Sequence, residues 1–130
     1  MSDLIKDFYA ELSSIAEVSS FADSRIYPLL ARPGVEDFIV YTPVSGGFAE
    51  TYYSGDLGMS EQVIQVDVYS RSFARNQTVI EAIINYFNGL KGEINTNTNV
   101  GRAYVAAKRE DLDPSDSTLY RSSIDINFLY

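Results

Sequence analysis

The sequence contains no cysteine, no histidine and no tryptophan. Without cysteine a disulfide framework and a zinc–thiolate site are excluded, and without histidine the commonest general base and metal ligand are missing. No apolar stretch approaches the ~20 residues that a bilayer span needs, and the Met1–Lys6 start lacks the basic and apolar regions of a signal peptide. These absences predict a soluble protein that contacts no membrane.

What the sequence does contain is enough for a core. Its 130 residues fit one domain, and ten tyrosines with seven phenylalanines supply apolar surface, so we expect a single domain over residues 1–130. The net charge of −8 argues against nonspecific binding of nucleic acid. Residues 1–65 hold ten Asp and Glu against three Lys and Arg, whereas residues 66–130 hold eight against seven. Two unlike surfaces could therefore meet head to tail between copies, or be two differently solvated surfaces of a monomer.

The stretch Glu61–Leu90 changes its hydrophobic period from two to about 3.6. Ile64, Val66 and Val68 alternate with polar residues, which predicts a strand with one buried face. The residues after Ser72 predict a helix, because apolar side chains recur three and four apart. The apolar stripe of this helix consists of Val79, Ile80, Ile83, Ile84 and Phe87.

The remaining segments complete an α+β pattern. A first helix is expected from Leu4 to near Val18, and Arg25–Tyr27 is a short extended piece before Pro28. Pro43 suggests the end or edge of a strand. Further strands are predicted at Phe38–Thr42, Phe48–Tyr53, Val100–Lys108 and Tyr120–Phe128. The order is α-β-β-β-α-β-β, which predicts a mainly antiparallel sheet with a three-stranded meander, two helices on one face, and the other face wet or available to a partner.

Two motifs resemble chemical sites without their usual context. Tyr104 and Lys108 have the Tyr-x-x-x-Lys spacing of short-chain dehydrogenases, but on a strand they share a face about 13 Å apart, at ~3.3 Å per residue. Asp111, Asp113 and Ser115 match the start of a calcium loop, whose later glycine and glutamate positions are not matched. We therefore predict no catalytic residue, no cofactor and no metal site, and interpret the second motif as a solvated hairpin tip.

Several landmarks occur in an order typical of one family. They are Ser24–Pro28, Phe38–Tyr41, Val63–Ser70 with Arg71, the amphipathic helix, and Asp116–Tyr130. In this order the chain resembles the small tail-completion or tail-terminator proteins of long-tailed bacteriophages, over almost all of the sequence after the first helix. It departs from that family at Asp37, where a proline usually precedes the strand, and in the polar connection Asn95–Asn99.

The resemblance implies a virion protein that assembles as a ring, typically of six copies, on the head-proximal end of the tail tube. Such a ring stops tube polymerisation and gives the head connector its docking surface. The implied partners are therefore other copies of the chain, the tail tube protein and the head connector, with assembly in the host cytoplasm. Genome DNA would pass through the bore without specific binding, since carboxylates facing the bore repel phosphates.

We expect the contacts of such a subunit on two long connections, Phe48–Gly58 and Asp111–Ser117, and at the strand-to-helix junction. Arg71 and Arg75 lie one helical turn apart there, as a surface pair or a subunit contact. The candidate interface residues are Tyr52, Tyr53, Gln65, Asp67, Arg71, Arg75, Asp111, Asp113 and Asp116.

Two other functions fit the same sequence. One is a neck or head-completion adaptor between portal and tail. The other is a small-ligand-binding α+β protein, or an enzyme that uses Asp, Glu, Tyr and Lys. A deep apolar pocket with converging carboxylates and strongly shifted pKa values would favour the second alternative, whereas copies that close into a ring would favour assembly.

Overall fold

The structure, a computed structural model, describes residues 4–22, 25–29, 37–48, 60–94, 98–113 and 116–130, except for the side chains of residues 45–48, 60, 98–99, 113 and 116–118. The helices are α1 (Leu4–Ser14), α2 (Ala16–Ala22) and α3 (Phe73–Phe87). The strands are β1 (Ile26–Pro28), β2 (Phe38–Phe48), β3 (Ser60–Ser70), β4 (Gly92–Ile94), β5 (Thr98–Val100), β6 (Arg102–Asp113) and β7 (Asp116–Leu129).

One five-stranded sheet has the order β1-β2-β3-β7-β6, and β4 pairs with β5. All pairings are antiparallel except that of β1 with β2. The helices pack on one face of the large sheet, where Phe8 of α1, Phe87 of α3 and Phe128 of β7 meet with ring centroids 5.1, 5.7 and 5.9 Å apart. The predicted α+β class with a mainly antiparallel sheet is confirmed.

The predicted strand-to-helix unit forms as the periodicity indicates. Ile64, Val66 and Val68 of β3 are buried beneath the apolar stripe of α3. Ser72 caps α3, because its side chain accepts a hydrogen bond from the backbone N–H of Arg75. The helix ends at Phe87, and Gly89 follows with a φ of +88°, a conformation that L side chains rarely adopt.

The first helix is shorter than predicted. It ends at Ser14, and a separate helix, α2, starts at Ala16. The hydroxyls of Ser13 and Ser14 donate to the carbonyls of Ala10 and Glu11, at 3.1 and 2.6 Å. Serine side chains that bond to backbone carbonyls of the preceding turn compete with helical hydrogen bonds and bend helices, which accounts for the break that the apolar spacing did not show.

The predicted meander was wrong. β2 continues through Pro43 to Phe48, with an irregular register between Pro43 and Ser45, and pairs directly with β3. A proline is tolerated there because β1 pairs with β2 only as far as Tyr41, so the missing N–H leaves no ladder bond on that side. Phe48 thus ends a strand instead of starting one, and residues 49–59 lie outside the described residues. The third strand before α3 is β1, which pairs in parallel along β2.

Candidate assembly surface

The sheet face opposite the helices carries charged side chains along β6 and β7. The Arg121 guanidinium donates to both carboxylate oxygens of Asp111, at 2.9 and 2.8 Å. These hydrogen bonds lower the pKa of Asp111 and raise the pKa of Arg121. Arg109 forms a second pair with Asp125 at 3.2 Å. The charges on this part of the face are thus paired across two strands, which keeps their side chains extended along the sheet.

Gln65 and Asp67 belong to a smaller polar cluster in the middle of the same face. Gln65 Nε2 lies 3.1 and 3.2 Å from the two carboxylate oxygens of Asp67, and Ser123 donates its hydroxyl hydrogen to the same carboxylate. Asp67 is only 6% exposed. It therefore binds Gln65 and Ser123 inside the subunit, and the neighbouring strands leave little of this predicted contact residue exposed to another copy.

The other half of this face is apolar. The rings of Phe38 and Tyr69 stack with centroids 4.6 Å apart and an interplanar angle of 13°, and Val40 and Leu119 are buried beside them. The Tyr27 ring also packs against Phe38, with the two ring centroids 6.4 Å apart. The face predicted to be wet or available to a partner therefore has a second small hydrophobic cluster on β1, β2, β3 and β7, and a paired-charge surface on β6 and β7.

Arg75 lies on the flank of α3 that faces α2 and the start of β2. Its guanidinium is 2.5 Å from a carboxylate oxygen of Asp37 and lies over the Phe21 ring, 5.2 Å from the centroid. The side chain nevertheless remains 52% exposed. Arg71 is also exposed at the junction. Arg75 thus has a structural role within the subunit and a surface that a partner can still reach.

Asn76 fixes the start of α3 on the sheet. Its side-chain amide donates to the carbonyls of Val68 and Tyr120, at 3.2 and 3.1 Å, and its oxygen accepts from the hydroxyl of Ser70 at 2.6 Å. Asn76 and Ser70 are completely buried. A buried side chain with its hydrogen bonds satisfied on three elements holds the helix end, β3 and β7 in one arrangement.

An exposed apolar patch lies on the opposite flank of α3. It consists of Phe73, Leu112 and Tyr120, which are 47%, 46% and 37% exposed, and the rings of Phe73 and Tyr120 meet edge to face at 5.8 Å. Together with Glu110 and Asp111 the three side chains line a depression of about 320 Å³. A cluster of large exposed apolar side chains rimmed by carboxylates is typical of an interaction surface.

The α2–α3 groove is a second depression, of about 350 Å³, on the Arg75 flank. Its lining residues are Ala16, Glu17, Ser20, Phe21, Arg75, Thr78 and Val79. The groove has an apolar floor, since Phe21 and Val79 are buried core residues. Phe73 and Arg75 are two positions apart, hence about 200° around the helix axis, so the groove and the apolar patch lie on opposite flanks of α3.

Tyr104 and Lys108, which have the spacing found in short-chain dehydrogenases, lie on opposite faces of the sheet. The register of β6 shifts between Val105 and Ala107. Tyr104 therefore points to the open face, where its hydroxyl is 2.8 Å from Asn127, while Lys108 points to the helix face, 3.2 Å from Gln77. A bulge moves later side chains to the other face, so the prediction of a shared face was wrong. Among the described residues no three acidic side chains converge as a metal site.

Three of the predicted contact residues, Asp111, Asp113 and Asp116, lie on the β6–β7 hairpin. Asp111 lies in the predicted hairpin, whereas Tyr52 and Tyr53 are outside the described residues. Asp113 and Asp116 pair through their backbones at its tip, and their side chains are not described. The apolar patch was missed because Tyr120 falls in the alternating row of β7 that is elsewhere buried. The available signal was Leu112, an isolated apolar residue in an acidic run.

The fold is shared with a solved virion protein. A chain in the structure "Virion of native gene transfer agent (GTA) particle" matches with a TM-score of 0.71 and 11% identity, over 93% of this chain and 89% of that chain. Neither a protein-family model nor a curated protein matches the sequence. In the described part of the chain, no helix has the length and apolar character to cross a bilayer. This chain therefore has the fold of a GTA virion component.

Proposed function

We propose that the chain is a structural protein of a phage-like virion, and that it forms a ring of six copies on the head-proximal end of the tail tube. The observation that carries this proposal is the fold shared with a GTA virion chain over 93% of the sequence. The order of sequence landmarks supports the finer role. In that role the ring ends tube polymerisation at the head–tail junction and offers the head connector its docking surface.

The surface of the subunit supports a head-to-tail ring. A ring needs two unlike patches on each subunit, because each interface joins different surfaces of neighbouring copies. The paired charges and carboxylates of the β6–β7 hairpin lie at one edge of the sheet, and Arg75 lies towards the other. The proposed contact residues are Gln65, Arg71, Arg75, Asp111, Asp113 and Asp116, with Tyr52 and Tyr53 on the connection before β3.

The experiment is to mix purified protein with tail tubes and image the mixture by negative stain. The proposal expects density at one end of each tube and no further growth at that end when tube subunits are added. The sides of the same tubes provide an internal control. Density along the tube walls, or tubes that keep growing at both ends, would contradict a terminator.

A second mixture, of the protein with isolated head connectors, distinguishes the neck adaptor, which would bind the connectors and leave tube ends bare. A small-ligand-binding function has one observation in its favour, because the α2–α3 groove has a volume near the lower end of the ~300–1,000 Å³ range of ligand pockets. The groove is open and shallow, with a single arginine at its rim. Its apolar floor therefore suits a protruding side chain of another protein better than an enclosed ligand.

A further inference from the structure

The outer end of the β6–β7 hairpin is the end where β6 stops at Asp113 and β7 begins at Asp116. It combines an apolar side chain with carboxylates. Leu112 is 46% exposed, and Glu110 and Asp111 precede it on the same strand. Glu110 is held by Gln77, whose amide is 2.7 Å away, and Asp111 is held by Arg121. Because Glu110 lies on the same face of β6 as Leu112, whereas Asp111 lies on the opposite face, the hairpin end offers an apolar protrusion beside the ordered Glu110 carboxylate.

The α2–α3 groove has the complementary character. Phe21 and Val79 form an apolar floor, and Arg75 stands at the α3 rim with its guanidinium half exposed. The contact with Asp37 keeps this guanidinium in place. Glu17 lies on the α2 side of the groove, so an incoming carboxylate is repelled there and is directed to the α3 rim.

We propose that the hairpin end of one copy docks in the α2–α3 groove of the next copy, with Leu112 on the floor and the Glu110 carboxylate towards Arg75. The inference rests on the ring in the proposed function and names the two surfaces that join its subunits. Apolar surface meets apolar surface in this contact, and the Arg75 cation meets the Glu110 anion at its rim.

The position of the two surfaces identifies the occupant as a second copy in a head-to-tail arrangement. They lie on opposite flanks of α3, and a contact between opposite flanks repeats from copy to copy, as a ring requires. Direct strand addition at the β6 edge is disfavoured by the four consecutive charged residues Lys108–Asp111 and by the bulge after Val105. Side chains, rather than edge hydrogen bonds, therefore make the contact.

The absence of cysteine permits a direct test by disulfide trapping. One preparation carries Leu112→Cys and a second, with a size tag, carries Thr78→Cys on the groove wall. The two are mixed and oxidised, both as concentrated protein and after incubation with tail tubes. We expect a disulfide-linked dimer of one tagged and one untagged chain, because only a close approach of the two Cβ atoms permits the bond. Glu81→Cys, on the β6 side of α3, replaces Thr78→Cys in the matched control and should give several-fold less product.

The outcomes separate this contact from the function. Mixed dimers support the contact even if tube ends stay bare, in which case the terminator function fails alone. Capped tubes without mixed dimers overturn the contact and leave the function standing. Dimers of Leu112→Cys with itself would place the hairpin end on a twofold axis and overturn the contact. The contact would also be overturned if no cross-link formed either in concentrated protein or after incubation with tail tubes.

Discussion

The two ends of the β6–β7 hairpin follow the same alternating pattern but have opposite environments. At the inner end, Ala103, Ile126 and Phe128 point to the helices and are fully buried. At the outer end, Leu112 and Tyr120 point to the same side and are exposed. The difference arises because α3 begins beside Tyr120 and runs towards the inner end, so the outer strands extend past the helix layer. A period-two pattern therefore shows which side chains share one face of a strand. Whether those side chains are buried depends on whether the helix layer covers that part of the strand.

The strongest way to test this comparison is to shorten one aromatic side chain at each end. Phe128→Ala should lower the free energy of unfolding by about 3–5 kcal/mol, because the large side chain leaves a cavity between Phe8 and Phe87. Tyr120→Ala should cost less than ~1.5 kcal/mol, since the ring is already 37% exposed. Urea unfolding measures both. Equal losses would show that the outer end is as much part of the core as the inner end.

Asn76 joins the start of α3 to β3 and β7 between the two ends of the hairpin. Its replacement should have the next largest effect on the free energy of unfolding. Asn76→Ala leaves the buried Ser70 hydroxyl and two strand carbonyls without their amide partner. We expect a loss of about 2–3 kcal/mol in the free energy of unfolding, from the cost of unsatisfied buried polar groups. Asn85→Ala, at an exposed position of the same helix, is the control and should stay within ~0.5 kcal/mol. Similar values for both variants would contradict a stabilising role for the hydrogen bonds of Asn76.

Local periodicity was sufficient for the elements whose burial follows one repeating pattern. The stripe of α3 and the alternating rows of β3 and β7 were predicted because each places its apolar residues on one side. The helix break after Ser14, the passage of β2 through Pro43 and the bulge after Val105 depend on single hydrogen bonds or register shifts. Such features could not be predicted from the apolar pattern alone.

The candidate surface was less predictable for the same reason. Asp67 has the polar character of a surface residue, yet the surrounding strands bury it against Ser123. Phe73 and Tyr120 have the apolar character of core residues, yet both are exposed at the end of the helix layer. Residue type indicates whether a side chain would be more stable when buried or when exposed. Whether it is in fact buried depends here on how far the helix layer extends along the strands.

A smaller effect is expected from the charges of the outer end. The pKa of Asp111 is lower in the folded protein than its ordinary 3.8, so the pair with Arg121 stabilises the fold fully above that value, and the contribution is lost as the pH falls through the folded pKa. Because the side chains are 46% and 29% exposed, Asp111→Asn should cost no more than ~1 kcal/mol at pH 7. Unfolding at pH 7 and at lower pH measures it. A difference between the wild type and the variant that grows in acid would contradict the pairing.

The smallest effect on stability should accompany the largest effect on assembly. Leu112→Ser removes an apolar side chain that is already half exposed, so the free energy of unfolding should change by no more than ~0.5 kcal/mol. In the proposed ring the same change places a hydroxyl on the apolar floor of the neighbouring α2–α3 groove, and tube ends should remain uncapped in negative stain. Val44→Ser alters another exposed apolar side chain, 53% exposed on β2, and should cap normally. If both variants cap equally well, exposure at the outer end has no role in assembly, and the difference between the two ends of the hairpin is one of stability alone.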